Sequence, residues 1–94
     1  MQITDIKIEL IKDRAGLIGF ANIVIDSNIY LSSIGIHKKL NKKEYRLTYP
    51  KKQDRGIFHP INKEASLVIE NAVFKELKKV MKYDRYNSYD NTNY

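Results

Sequence analysis

The most constraining feature of this sequence is a period-two alternation of apolar and polar residues, which returns in four segments ahead of one helical segment. In the first of them Ile6, Ile8 and Leu10 alternate with charged neighbours. Such alternation is typical of a strand that buries one face. We therefore expect four strands, over residues 1–11, 17–26, 29–37 and 44–49.

Turn residues separate the first three segments. Residues 13–16 are Asp-Arg-Ala-Gly, and residues 26–28 are Asp-Ser-Asn. Because Gly, Asp, Asn and Ser favour tight turns, we expect consecutive antiparallel strands. The residues expected to share one face within the second, third and fourth strands are, in turn, Ala21, Ile23 and Ile25; Tyr30, Ile34 and Ile36; and Tyr45, Leu47 and Tyr49.

The segment after the fourth strand is predicted to be irregular. Pro50 cannot donate a hydrogen bond to a neighbouring strand, so the strand ends there. Residues 51–56 then predict a polar loop, and residues 57–61 a short extended segment at an edge of the sheet. The sheet should thus have four or five strands.

A helical pattern follows. Asn62 occupies the position of an N-cap, and Glu64 lies in the first turn. From residue 63 to about residue 83 one apolar stripe recurs at spacings of three and four, formed by Ala65, Val68, Ile69, Ala72, Val73, Leu77, Val80 and Met81. The predicted fold is α+β, with an antiparallel sheet packed by one long C-terminal helix. Residues 1–83 should form a single domain, and residues 84–94, which repeat Tyr, Asn and Asp, a disordered tail.

Composition limits the class of protein. A chain of 94 residues has room for one core, and no uncharged apolar run approaches the roughly 18 residues of a membrane span. The first residues lack the pattern of a secretory signal. Because the chain has no cysteine, disulfides and thiolate chemistry are excluded. We expect a soluble, cytoplasmic protein without a membrane partner.

The positive charge of the chain is local. The 17 basic and 11 acidic residues give a net charge of +6, and residues 38–55 alone, with eight basic and two acidic residues, account for all of it. This concentration indicates a polyanionic partner. The eight basic residues are Lys38, Lys39, Lys42, Lys43, Arg46, Lys51, Lys52 and Arg55.

These residues allow two interpretations. Cations that hold phosphates, with aromatic rings such as Tyr45 and Tyr49 within reach of bases, form a pattern of nucleic-acid surfaces. Alternatively, the lysines are a solvated face that protects a strand edge, and the tyrosines pack in the core. A second basic patch, which the helix dipole alone could explain, lies near the helix end and contains Lys78, Lys79 and Lys82.

Catalytic motifs are missing from the sequence. It has no Gly-rich phosphate loop, no GxSxG and no HExxH. His59 precedes a proline and suits a structural role at the strand-to-helix corner, with catalysis by an orphan enzyme as the remote alternative. His37 could join the polyanion surface or simply end a strand. We expect no catalytic residue, no metal site, no cofactor and no small-molecule substrate.

Five segments together resemble the SpoVG (stage V sporulation protein G, septation regulator) family in order and approximate spacing. They are residues 3–7 (ITDIK), 21–26 (A-x-I-x-I-D), 49–52 (Y-P-x-K), 59–62 (HPIN) and 69–76 (I-x-x-A-V-x-x-E). The likeness covers about residues 1–82, and the HPIN corner leading into the helix is its most specific part. The chain departs from the family at Gly35, where an arginine is usual, at the lysine-rich residues 38–43, and in the shorter loop at residues 51–56.

The resemblance implies a bacterial, cytoplasmic homodimer that binds DNA, and in some members RNA, as a regulator and not as an enzyme. With it, the sequence predicts that the eight basic residues contact phosphates and that the helix-end lysines extend that surface. The alternative is a protein–protein interaction module whose basic loops only keep it soluble.

Overall fold

The computed structural model describes residues 1–39 and 44–92, with side chains as far as Lys82. Its elements are β1 (Ile3–Arg14), β2 (Leu17–Ile25), β3 (Ile29–Lys38), β4 (Tyr45–Thr48), β5 (Lys51–Lys52), β6 (Arg55–Gly56) and α1 (Lys63–Thr92). The first four strands form one antiparallel sheet in the order β1-β2-β3-β4, and β5 and β6 form a separate hairpin. The predicted α+β fold, an antiparallel sheet with one C-terminal helix, is confirmed.

The turn between β1 and β2 lies where the sequence predicts it. Ala15 and Gly16 both have positive φ, 53° and 96°, which suits the tight turns that match the twist of paired strands. The Gly16 N–H donates to the Asp13 Oδ1 at 2.9 Å. This turn sets the register in which β1 and β2 pair.

A β-bulge in β3 changes which residues face the core. Ser33 has a φ of 68°, and its N–H donates to the Asn22 Oδ1 at 3.0 Å. The extra residue shifts the alternation, so Leu31 packs with Ile34 on the core side. Tyr30 is 65% exposed whereas Ile34 and Ile36 are buried, so the prediction that the three share one face is wrong.

The helix packs across one face of the sheet. Its N-terminus is capped as predicted, because the Ala65 N–H donates to the Asn62 Oδ1 at 2.7 Å. The first turn lies beside Met1 and a later turn beside Tyr45, so α1 crosses the sheet diagonally. The fully buried core consists of Ala21, Ile23, Ile34, Ile36, Ile69, Val73 and Leu77.

The buried stripe of α1 is narrower than the predicted one at its start. Val68 is exposed, whereas Phe74, which the predicted stripe omits, packs against the core. The helix also continues to Thr92, beyond the end near residue 83 that the apolar stripe predicts. The division into a domain over residues 1–83 and a tail over residues 84–94 stays a prediction.

The connection from β4 to α1 differs from the prediction. Residues 51–56 form the β5–β6 hairpin and not a simple polar loop. Residues 57–61 belong to neither sheet, so the prediction of an extended edge segment there is wrong. The Ile57 N–H donates to the Pro50 carbonyl at 2.9 Å, and Pro60 has no N–H to offer a neighbouring strand.

Within the described part of the chain, no helix is both long and apolar enough to cross a membrane.

Candidate nucleic-acid interface

The predicted basic residues flank β4, an edge strand of the sheet. At the first end of β4, Lys38 pairs with Tyr45 and His37 with Arg46. The Lys38 and Arg46 side chains are exposed. Both cations can therefore reach a ligand at this edge.

Lys39 lies at the same end but has a partner. Its Nζ is 3.3 Å from the Glu44 Oε2, and its N–H donates to the Glu44 carbonyl at 2.9 Å. Both side chains are solvent-exposed, so the pair contributes little stability and only partly neutralises the lysine. The other two lysines predicted in this loop, Lys42 and Lys43, lie outside the described residues.

Two of the three lysines that were predicted near the helix end reach this same end of β4, well before α1 ends at Thr92. Lys78 and Lys82 line a groove of about 240 Å³ beside Tyr45, whose hydroxyl contacts the Met81 Sδ at 3.5 Å. Lys79 is exposed but does not line the groove. The fold thus brings two of the three helix-end lysines to the strand end that Lys38 occupies. We call Lys38, Lys39, Arg46, Lys78 and Lys82 the loop-end group.

The other basic residues lie beyond the opposite end of β4. Lys51, Lys52 and Arg55 belong to the β5–β6 hairpin, and all three are exposed. We call them the hairpin group. A strand of four residues is roughly 10 Å long, and the predicted set divides into two groups, one towards each end of it.

The aromatic residues of β4 and its flank pack against other rings. The Tyr45 ring lies 6.3 Å from that of Phe74, and the Tyr49 ring 6.0 Å from that of Phe58 in an edge-on arrangement. Both tyrosines are partly buried against the core. The packing interpretation of these tyrosines is therefore confirmed, while each keeps some exposed surface.

A histidine–threonine pair lies on the sheet face opposite α1. The His37 Nε2 is 2.8 Å from the Thr48 Oγ1. Partial burial, and next the nearby Arg46 guanidinium, lower the pKa of His37 from its ordinary value of 6.5. A neutral His37 adds no cation to the loop-end group at neutral pH.

Gly35 makes room for this pair. A Cβ at position 35 would lie 2.5 Å from the Thr48 Oγ1 and 3.2 Å from the His37 Nε2. Any larger side chain must displace both. Gly35, where the resemblance leads us to expect an arginine, thus leaves the space that the His37–Thr48 contact occupies.

The sequence does not reveal a cavity at the far end of β4. Its volume is about 480 Å³, and its walls include Tyr49, Pro50, Phe58 and His59. The residues come from both sides of the β5–β6 hairpin, which folds back and brings them together. The sequence predicts a corner at His59 and Pro60, but nothing in it indicates that this corner borders a concave surface.

Tyr49 has an unusual environment beside this cavity. Its hydroxyl is buried and has no hydrogen-bond partner among the described residues. Burial, and to a lesser degree the Glu70 carboxylate, raise the pKa of Tyr49 from 10.0 to about 12. The folded protein therefore favours the neutral phenol.

Tyr49→Phe is expected to reduce the loss of stability at high pH. The raised pKa of Tyr49 leaves stability unaffected below pH 10 and lowers it as the pH rises from 10 towards about 12, because only the unfolded chain then releases this proton. Near pH 7 the variant should be about as stable as the wild type, since no hydrogen bond to the described residues is lost. Thermal melts between pH 8 and 12 measure this, with Tyr30→Phe as the exposed control. If the stability of the wild type and that of Tyr49→Phe fall equally over this pH range, the raised pKa of Tyr49 is contradicted.

No cluster of three His, Cys, Asp or Glu side chains that could hold a metal ion exists in the part of the chain that the structure describes.

Comparison with known proteins places the chain in a family. No curated protein matches the sequence. The SpoVG family matches over residues 1–79, which include strands β1 to β6, the basic residues from 38 to 55 and the part of α1 that carries Ile69, Val73 and Leu77. The chain belongs to the SpoVG family, a family of regulatory, non-enzymatic proteins.

Proposed function

We propose that this protein is a nucleic-acid-binding regulator of the SpoVG type. One observation carries the proposal: the whole net charge of the chain lies in residues 38–55, and these cations flank an edge strand. Of their side chains within the described residues, only that of Lys39 forms an ion pair. The other cations of this segment that the structure describes are free to neutralise phosphates.

The arrangement of the two basic groups suits an extended polyanion. One group lies towards each end of β4, a strand with a length of roughly 10 Å. Double-stranded DNA carries about one charge per 1.7 Å of its axis, so that distance spans several phosphates. One strand of nucleic acid laid along this edge could contact both groups.

One observation favours the alternative function, which is a protein–protein interaction module. Ile61 is 87% exposed, and Ile57, Leu67 and Val68 are also exposed. Apolar side chains this exposed are a common feature of protein contacts. They contribute nothing to phosphate binding, and so binding experiments separate the two functions.

Fluorescence anisotropy with labelled duplex DNA, single-stranded DNA and RNA tests the proposal. We expect binding at low salt that weakens steeply as salt is raised, because counterions are released from the phosphates. If none of the three ligands binds at low salt, the protein is not a nucleic-acid-binding regulator and the interaction module replaces that function.

We also propose that the protein is a homodimer. α1 covers one face of the sheet, and no other helix or strand of the described chain packs across the opposite face, which carries the half-buried Phe20 and Val24. Sedimentation equilibrium is expected to report about 22 kDa, twice the chain mass of 11.0 kDa, as for a symmetric dimer. A mass near that of one chain, unchanged up to high micromolar concentration, would contradict dimerisation.

A further inference from the structure

The cavity at the far end of β4 has the walls of a site for a flat ligand. Tyr49 and Phe58 meet edge-on in its wall. Pro50, Gly56 and the exposed His59 also line it. Apolar and aromatic side chains, Leu47 among them, form much of its wall, and the cavity is open to solvent. Its volume of about 480 Å³ falls within the range of roughly 300–1,000 Å³ usual for small-ligand sites.

The His59 ring is held in a fixed orientation. Its Nδ1 lies 3.0 Å from the Pro60 carbonyl oxygen, which can only accept a hydrogen bond. Nδ1 therefore carries a proton, and Nε2 is the ring nitrogen left for a hydrogen bond to a ligand. Gly56 faces this ring, since a Cβ built there would lie 3.3 Å from the His59 Cδ2 and 3.9 Å from Nε2. The cavity thus offers a histidine ring nitrogen for hydrogen bonding beside apolar and aromatic surface.

The charge around the cavity indicates what the flat ligand is attached to. Lys51 is itself a wall residue, and Lys52 and Arg55 extend from the same hairpin. Among the described residues, none of those that line the cavity is acidic. A nucleotide within a strand matches these features, because the aromatic surface suits a ring, the His59 nitrogen suits the polar edge of a base, and the cations suit phosphates.

We propose that this cavity binds one unpaired base of a single-stranded nucleic acid, while the hairpin group holds the adjacent phosphates. This inference rests on the proposed function and adds to it a preference for single-stranded over double-stranded nucleic acid. A base within a duplex is paired and stacked, so it would have to leave the helix at an energetic cost before entering. The protein should therefore bind a single strand more tightly than a duplex of the same length.

An abasic strand provides the central test. It carries the same phosphates as a normal single strand of equal length but has no bases. We expect the wild type to bind the normal strand about tenfold more tightly than the abasic one, since stacking of one base on aromatic side chains contributes an effect of that order. DNA and RNA versions of the normal strand determine which of the two the cavity prefers.

Two variants alter the cavity without changing the number of lysines and arginines. Gly56→Leu places a side chain towards His59, and the φ of Gly56 is not in the left-handed region. His59→Ala removes the exposed wall. Both should bind the normal strand about as weakly as the wild type binds the abasic strand, with abasic binding unchanged. Asn71→Leu, which adds the same side chain at an exposed position of α1, should bind like the wild type.

The possible failures are distinguishable. If the wild type binds normal, abasic and duplex ligands equally well, the cavity holds no base, although the proposed nucleic-acid binding stands. The same conclusion follows if Gly56→Leu and His59→Ala both keep the full preference for the normal strand. If no ligand binds at low salt, the proposed function itself is wrong. Thermal melts of each variant verify that it is folded, and in the wild type the amide resonances of Gly56 and His59 should shift when the normal strand is added.

Discussion

Leu77→Ala should lower the free energy of unfolding by about 2 to 4 kcal/mol. Leu77 is 1% exposed and belongs to the cluster that joins α1 to the sheet, together with Ile36 and Val73. Removing its branched end leaves a cavity that the surrounding side chains fill only in part. For a domain whose total stability is of the order of 5 to 15 kcal/mol, such a loss is a large fraction.

Lys78→Ala is the matched control for this change. Lys78 is the next residue of α1, and its side chain is exposed, so the substitution leaves the core intact and keeps a good helix former in place. Urea unfolding of both variants measures the difference. Equal midpoints would show that α1 does not bury the face that carries Leu77.

The element types could be predicted because local sequence controls them. Alternation with a period of two marks β1 around Ile6 and Ile8, and spacings of three and four mark α1 around Ile69 and Leu77. The Asn62 cap and the turn at Gly16 depend on residues adjacent in sequence. These features need no knowledge of the tertiary structure.

The errors arise where distant residues decide the conformation. The bulge at Ser33 depends on a hydrogen bond to Asn22 of the neighbouring strand, and this bond decides that Leu31 and not Tyr30 faces the core. Strict alternation within one segment cannot reveal it. The irregular path before α1 likewise depends on the contact between the Ile57 N–H and the Pro50 carbonyl.

The candidate site was predictable in charge but not in shape. The concentration of cations in residues 38–55 is a property of the sequence. The division of these cations into two groups depends on the length of β4. The position of Lys78 and Lys82 beside Tyr45 depends on the diagonal path of α1 across the sheet. The cavity of Tyr49, Phe58 and His59 exists only because the β5–β6 hairpin folds back. Composition contains none of this geometry.

Replacing the hairpin group with glutamine is expected to weaken nucleic-acid binding by tenfold or more at low salt. If four to six cations of one protomer contact duplex phosphates, the slope of log K against log salt should be about −4 to −5, from roughly 0.9 per contact. Removing three contacts should make the slope shallower by about 2 to 3 on a duplex and by about 2 on a single strand, where each contact counts roughly 0.7. The substitutions are Lys51→Gln, Lys52→Gln and Arg55→Gln, all at exposed positions.

Parallel variants test the other basic residues. Lys38→Gln combined with Lys42→Gln and Lys43→Gln changes the loop, and Lys78→Gln combined with Lys79→Gln and Lys82→Gln changes the helix end. Lys7→Gln combined with Lys12→Gln is the control for lost charge, since both lysines are exposed on β1, the edge strand farthest from β4. This control should alter the slope very little.

The pattern of slopes across these variants locates the interface. Circular dichroism and melting temperatures should stay near those of the wild type, because none of the substitutions removes an apolar side chain. If β4 is the interface, the loop and hairpin variants each lower both affinity and slope, and the helix-end variant lowers them through Lys78 and Lys82 beside Tyr45. If the helix-end variant alone abolishes binding, the ligand contacts α1 and the assignment of the hairpin group is wrong. A control that weakens binding as much as the other sets would mean that net charge, and not its position along β4, attracts the nucleic acid.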